Sequence, residues 1–201
     1  MSKQSVGILL FDNVEVLDFA GPFEVFSVAS ELHNYELFDV FTFAKTKEPV
    51  IAVNGLSVNP KYTLTDLPAI DILIIPGGDG TKKLIKDQEL IRQINKIIDQ
   101  ASLTMTVCSG ARVPALLGRL NGKPFCTHHE VFEAVNDLAP TAIPKPDLRY
   151  VQSDESLYTS GGISAGIDLS FHLLHKLHGR EVVDHTAKYM EYRLEEKYTS
   201  Q

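Results

Sequence analysis

The side chain with the widest chemical reach lies in the segment Met105-Thr106-Val107-Cys108-Ser109-Gly110-Ala111. Apolar strand-forming residues precede Cys108 and small residues follow it, so it falls where a strand turns into a helix. A side chain on such a tight turn, a nucleophile elbow, projects from the carboxyl edge of a sheet. Ligands bind there in doubly wound folds. The start of the following helix offers free backbone N–H groups and a positive dipole end, both of which favour a thiolate. The competing reading is a buried, inert thiol, the usual state of an unpaired cysteine. A second loop, Pro76-Gly77-Gly78-Asp79-Gly80, ends another apolar run. Its glycines let backbone N–H groups approach a ligand, and with the Ser109 N–H they form a candidate anion-stabilising site. A plain flexible turn is the alternative.

Other reactive types carry weaker signals. Cys126 stands close to His128 and His129 but lacks the paired spacing of a zinc motif, so it reads as a structural thiol. His172, His175 and His178 recur every three residues, a spacing that drifts around a helix, and read as surface or interface residues. No metal and no cofactor is expected. Glu24 reads as a first-turn carboxylate complementing a helix dipole, and Lys82, Lys83 and Lys86 as a solvated face. Taken by itself, Asp18 reads as an N-cap before Gly21-Pro22.

The elements around these residues alternate. Val6 to Phe11, Phe38 to Ala44, Ile72 to Ile75 and Leu103 to Val107 read as buried strands. Val50 to Val53 and Leu56 to Val58, split by Asn54-Gly55, read as a hairpin. Within Val14 to Glu31 the spacing predicts a turn and then a helix with Pro22 in its first turn. Leu90 to Ile98 carries isoleucines at helical spacing, and Ala111 to Leu117 reads as a short helix stopped by Gly118. Pro140 to Pro146 reads as a loop. Tyr150 to Ser153 and Leu157 to Ser160 read as strands around Asp154-Glu155. Two further helices are expected, Ala165 to Leu177 closed by Gly179, and Arg180 to about Glu195. Buried strands alternating with helices imply a three-layer α/β fold, a mostly parallel sheet covered by helices on both faces. With no repeat, linker or low-complexity tract, residues 1–201 read as one domain.

The chain has 201 residues, of which 44% are hydrophobic and 22% charged, and a net charge of -7. A chain of this length can bury a core without disulfides. The acidic balance argues against a nucleic-acid partner, which would need a basic face. Only two cysteines are present, so a reducing, cytoplasmic setting is expected. No run reaches the roughly 20 apolar residues of a membrane span, and no signal peptide is recognisable.

Four segments resemble the ThiJ/PfpI superfamily, whose flavodoxin-like fold is related to class I glutamine amidotransferases. They are Asn13-Val14-Glu15-Val16-Leu17-Asp18-Phe19-Ala20-Gly21-Pro22-Phe23-Glu24-Val25-Phe26; Ile74-Ile75-Pro76-Gly77-Gly78; Val107-Cys108-Ser109-Gly110-Ala111; and Thr127-His128 through Thr159-Ser160-Gly161-Gly162-Ile163-Ser164-Ala165-Gly166-Ile167-Asp168-Leu169. The first and last are similar to the subgroup holding isonitrile hydratases and the sensor domains of some AraC-type regulators. The resemblance implies that Cys108 is a nucleophile and Asp18 its carboxylate partner, where many relatives carry glutamate. His128 matches a histidine found near the cysteine, and His129 stands where hydratase-like relatives often carry Trp. Protease-like members carry His after the cysteine; here it is Ser109, so peptidase activity is disfavoured.

On this resemblance the expected function is a cysteine-dependent small-molecule enzyme, an isonitrile hydratase-like lyase. Cys108 and Asp18 would perform the chemistry, with Ser109, Gly77, Gly78, His128 and His129 around the substrate. The rivals are a redox-responsive or small-molecule sensor without turnover, and glyoxalase- or deglycase-like activity. A homodimer is expected. Only a few residues follow the last helix, so no helix-turn-helix domain and no DNA contact are expected.

Overall fold

A computed structural model of the protein describes residues 3–194. Strands β1 (Gln4–Leu9), β2 (Phe38–Ala44), β3 (Val50–Ile51), β4 (Ser57–Val58), β5 (Tyr62–Thr63) and β6 (Ile72–Ile75) come first in the chain, with helix α1 (Val16–Glu31) after β1. Helices α2 (Thr81–Leu84) and α3 (Gln88–Gln100) lead to β7 (Leu103–Val107). A 3₁₀ turn, Cys108–Ala111, opens into α4 (Arg112–Leu116). The chain then forms β8 (Pro124–Phe125), α5 (Phe132–Leu138), β9 (Ile143–Pro144), β10 (Tyr150–Gln152), β11 (Leu157–Ser160) and α6 (Ala165–Tyr189).

The central sheet has seven strands in the order β10-β11-β7-β6-β1-β2-β5. All neighbouring pairs are parallel except β10 with β11. Side chains alternate between its faces. Val6, Ile8, Ile72 and Ile74 pack under α1 and α6 with Phe26 and Phe171. Leu9, Leu73 and Ile75 face the other way, against Leu90, Ile91 and Ile94 of α3. Strands buried on both faces need the continuous apolar runs seen in the sequence.

The expected strands and the hairpin are present, the hairpin strands shortened to two residues each. Helix α1 departs from expectation. It starts at Val16 and runs through Gly21 and Pro22, so Pro22 lies inside it. The proline removes only the hydrogen bond to the Asp18 carbonyl, and the buried face carrying Phe19, Val25 and Phe26 holds the helix together across it. The N-cap position is Glu15, which makes no side-chain cap bond, and Asp18 is not a cap. The two C-terminal helices form one element kinked at Gly179, where φ is 80° and ψ is -178°, a conformation open essentially to glycine alone. The element ends at Tyr189, before the expected end at Glu195, which lies outside the described residues. Within the expected loop at 140–146, Ile143–Pro144 pairs with β8. Among the described residues no helix is long and apolar enough to cross a membrane.

Candidate functional site

Strand β7 ends in the middle of the sheet, and the chain must reverse there to enter α4. Cys108 makes that reversal with φ at 56°, a left-handed conformation that costs a non-glycine residue roughly 1–2 kcal/mol. Two hydrogen bonds hold it. The Cys108 N–H donates to the Gly161 carbonyl at 3.1 Å, and the Thr127 hydroxyl donates to the Cys108 carbonyl at 2.7 Å. The turn also needs a bare backbone opposite. A Cβ on Gly77 would lie 2.5 Å from the Ser109 nitrogen and 2.8 Å from the Cys108 Cβ.

Asp18 comes to the same point from α1 and is fully buried. Its Oδ2 accepts from the Gly77 N–H at 2.9 Å and its Oδ1 from the Ile163 N–H at 3.2 Å. The Cys108 thiol is a further hydrogen-bond partner. Burial pushes the Asp18 carboxyl up to about 7 from an ordinary 3.8, against the pull of the Gly77 N–H and with the help of the Glu15 charge. Burial, and then the Asp18 charge, push the Cys108 thiol up to about 12, although the Ser109 N–H favours its thiolate. The thiolate expected from a helix start alone is therefore not what this fold provides. The two groups titrate as a pair. Above about pH 7 they hold one proton between them, on sulfur or on the carboxyl, and moving it to Asp18 frees the thiolate without changing the net charge.

The glycine loop is occupied differently from expectation. The Gly77 N–H is taken by Asp18, and the Gly78 N–H donates to the Ser109 hydroxyl at 2.9 Å. That hydroxyl also donates to the Gly78 carbonyl at 3.1 Å and lies 3.2 Å from the Thr81 hydroxyl. These N–H groups build the elbow; they are not aimed into an open site.

Cys108, Ser109, Gly78 and His128 border one cavity of about 300 Å³. A larger cavity of about 440 Å³ runs along Leu10, Phe11, Ala44 and Leu84 without reaching the cysteine. Cys108 of the proton-sharing pair borders the smaller one, and perturbed groups in a cleft are the stronger marker of chemistry. His128 is half-buried, with the Glu130 N–H donating to its Nδ1 at 3.3 Å. His129 is exposed, borders a neighbouring depression, and leans on the His128 ring at 4.2 Å between centroids. The structure thus brings His128 to the cysteine and leaves His129 outside that cavity. Cys126 is buried elsewhere and its thiol donates to the Leu148 carbonyl at 2.8 Å. Among the described residues no group of His, Cys, Asp and Glu could hold a metal ion.

Four contributors were not singled out in the sequence. Glu15 borders the cavity and raises both titrating groups. Thr127 pins the strained turn. Ile163 supplies an N–H to Asp18 from a residue whose own φ is 55°. Arg112 borders the cavity one turn after Cys108. Glu15 and Thr127 lie inside or beside the quoted motifs. Ile163 also lies inside a quoted motif, but its role is a backbone one that its side-chain type does not signal.

The model of the DJ-1/PfpI family matches residues 4–176. Isonitrile hydratase of Pseudomonas putida is 34% identical over 189 residues, covering 93% of this chain and 78% of that protein. The HTH-type transcriptional regulator GbdR of Pseudomonas aeruginosa is 29% identical over 181 residues, covering 90% of this chain and 48% of the regulator. The chain thus spans about half of that regulator's length. The crystal structure of a ThiJ/PfpI family protein from Pseudomonas syringae superposes with a TM-score of 0.86 at 25% identity, covering 97% of this chain and 77% of that one. Schizosaccharomyces pombe DJ-1, at 18% identity and a TM-score of 0.76 over 94% of this chain and all of that one, shares the fold.

Proposed function

Because the chain belongs to the DJ-1/PfpI family, we propose that it hydrates isonitriles to N-substituted formamides with Cys108 as nucleophile and Asp18 as general acid and base. The observation that carries this reading is the Asp18 carboxyl held against the Cys108 thiol, sharing a proton near neutral pH beside a small cavity. In the reactive arrangement the proton resides on Asp18 and the sulfur is a thiolate. Sulfur bonds to the terminal isonitrile carbon, and the Asp18 proton passes to that carbon, giving an S-linked thioimidate. Water then adds to the C=N carbon while Asp18 moves the protons. The C–S bond breaks, the formamide leaves, and one proton remains with the Cys108–Asp18 pair. Ser109 keeps the elbow in shape through Gly78, and its N–H supports the thiolate. His128 closes one side of the cavity. The 34% identity to an isonitrile hydratase supports the choice of electrophile.

The test is gas-chromatographic detection of formamide from a small alkyl isonitrile without added metal, run beside a methylglyoxal assay. Turnover of the isonitrile, abolished by Cys108→Ala, is the expected result. Turnover of methylglyoxal alone would replace the hydratase by glyoxalase-like chemistry. A second reading, a small-molecule sensor without turnover, draws on the similarity to GbdR across 90% of the chain. It predicts saturable ligand binding with neither compound consumed.

A further inference from the structure

Arg112 opens α4, four residues after Cys108. Both side chains border the 300 Å³ cavity. The Arg112 Nε is buried and has no hydrogen-bond partner among the described residues. Its charge is felt by Asp79, but Asp79 is engaged by Lys82 at 2.9 Å. A guanidinium cannot lose its charge, and a buried donor without an acceptor is costly. A planar fork of donors beside a nucleophile matches a carboxylate. Glu15 and Glu130, which also border the cavity, repel an anion from its other walls; Lys82, the other cation on its border, is already paired with Asp79, which leaves Arg112 as the place where an anion can settle.

We propose that Arg112 binds a carboxylate of the substrate, so that the compounds processed at Cys108 are isocyano carboxylic acids and the products N-formyl amino acids. The chemical half of this inference rests on the hydratase reading above; the anion site does not. A neutral alkyl isonitrile would then be a truncated substrate, lacking the group that holds the reacting carbon over the sulfur.

The experiment compares isocyanoacetate with its methyl ester in the intact protein. The expected result is a kcat/KM for the acid at least about tenfold above that of the ester, mostly through KM, as a charge-assisted pair warrants. Arg112→Met should bring the acid down to the level of the ester. Arg112→Lys, which keeps the charge but not the fork, should fall between. Equal turnover of acid and ester by the unaltered protein would overturn the anion site and leave the hydratase reading standing. A parallel arm needs no turnover: N-formylglycine should slow iodoacetamide alkylation of Cys108, and its methyl ester should not. Such protection without turnover of any isonitrile would sink the hydratase reading and keep the anion site. No difference between acid and ester in protection would overturn the anion site whatever the turnover.

Discussion

Asp18 gives up its hydration in the fold and regains only two backbone N–H donors and the Cys108 thiol. Its carboxyl therefore keeps a proton to about pH 7 in the native state, against 3.8 as the ordinary value. Native protein binds more protons than unfolded chain between those values, so the Asp18 contribution to stability is full at low pH and is lost as pH rises through 7. The loss amounts to about 4 kcal/mol at most. Urea unfolding of the wild type and Asp18→Asn from pH 4.5 to 8.5 should show that slope in the wild type and a flatter one in the variant. Parallel slopes would mean that Asp18 titrates normally. The same proton governs the rate. kcat/KM for an isonitrile should rise with pH to a plateau above about 7, where the pair holds one proton, and Asp18→Asn should abolish turnover. Cys108 was legible because strand, cysteine and small residues stand consecutively in the chain. Asp18 was legible only through a resemblance, since its local pattern suggests a cap. Its burial against residues 77, 108 and 163 is a tertiary fact that no local window contains.

The elbow depends on its neighbours approaching as bare backbone. Gly77→Ala would set a Cβ 2.5 Å from the Ser109 nitrogen. The turn must shift, which we expect to cost about 1–3 kcal/mol in urea unfolding and to lower the iodoacetamide reactivity of Cys108 markedly. Gly179→Ala provides the contrast. Nothing lies within 4 Å of its Cβ, yet φ of 80° demands glycine. It should cost about 1–3 kcal/mol through the backbone alone and leave alkylation of Cys108 at the wild-type rate. Strand β6 was legible because both of its faces are buried, which writes itself as the unbroken apolar run Ile72–Ile75, and β1, β2 and β7 through their high share of apolar residues. The start of α1 was not. Gly21-Pro22 signals a boundary locally, and packing of the helix under the sheet overrides the signal. The two-residue strands β5, β8 and β9 carry too few residues to show a period of two.

The order of strands, with β6 between β1 and β7, brings the segments that follow these strands, including the α1 N-cap residue Glu15, to one cavity. The fold class followed from alternation of buried strands and helices. The cavity's charged border, Glu15, Asp79, Lys82, Arg112 and Glu130, did not, because it is assembled from four separate segments of the chain. A doubly wound sheet of this size commonly pairs through a two-fold interface, and light scattering at micromolar concentration should give twice the 22.3 kDa chain mass. A monomer at that concentration would contradict this. The most direct measurement on the chemistry is to catch the covalent intermediate. Protein turning over a small alkyl isonitrile is rapidly quenched and digested for mass mapping, where the thioimidate adds the full mass of the isonitrile to its peptide. The expected result is the adduct on the peptide containing Cys108, absent from that containing Cys126 and absent in Asp18→Asn. Formamide produced with Cys108 unmodified, or with the adduct on Cys126, would contradict the assignment of Cys108 as the nucleophile.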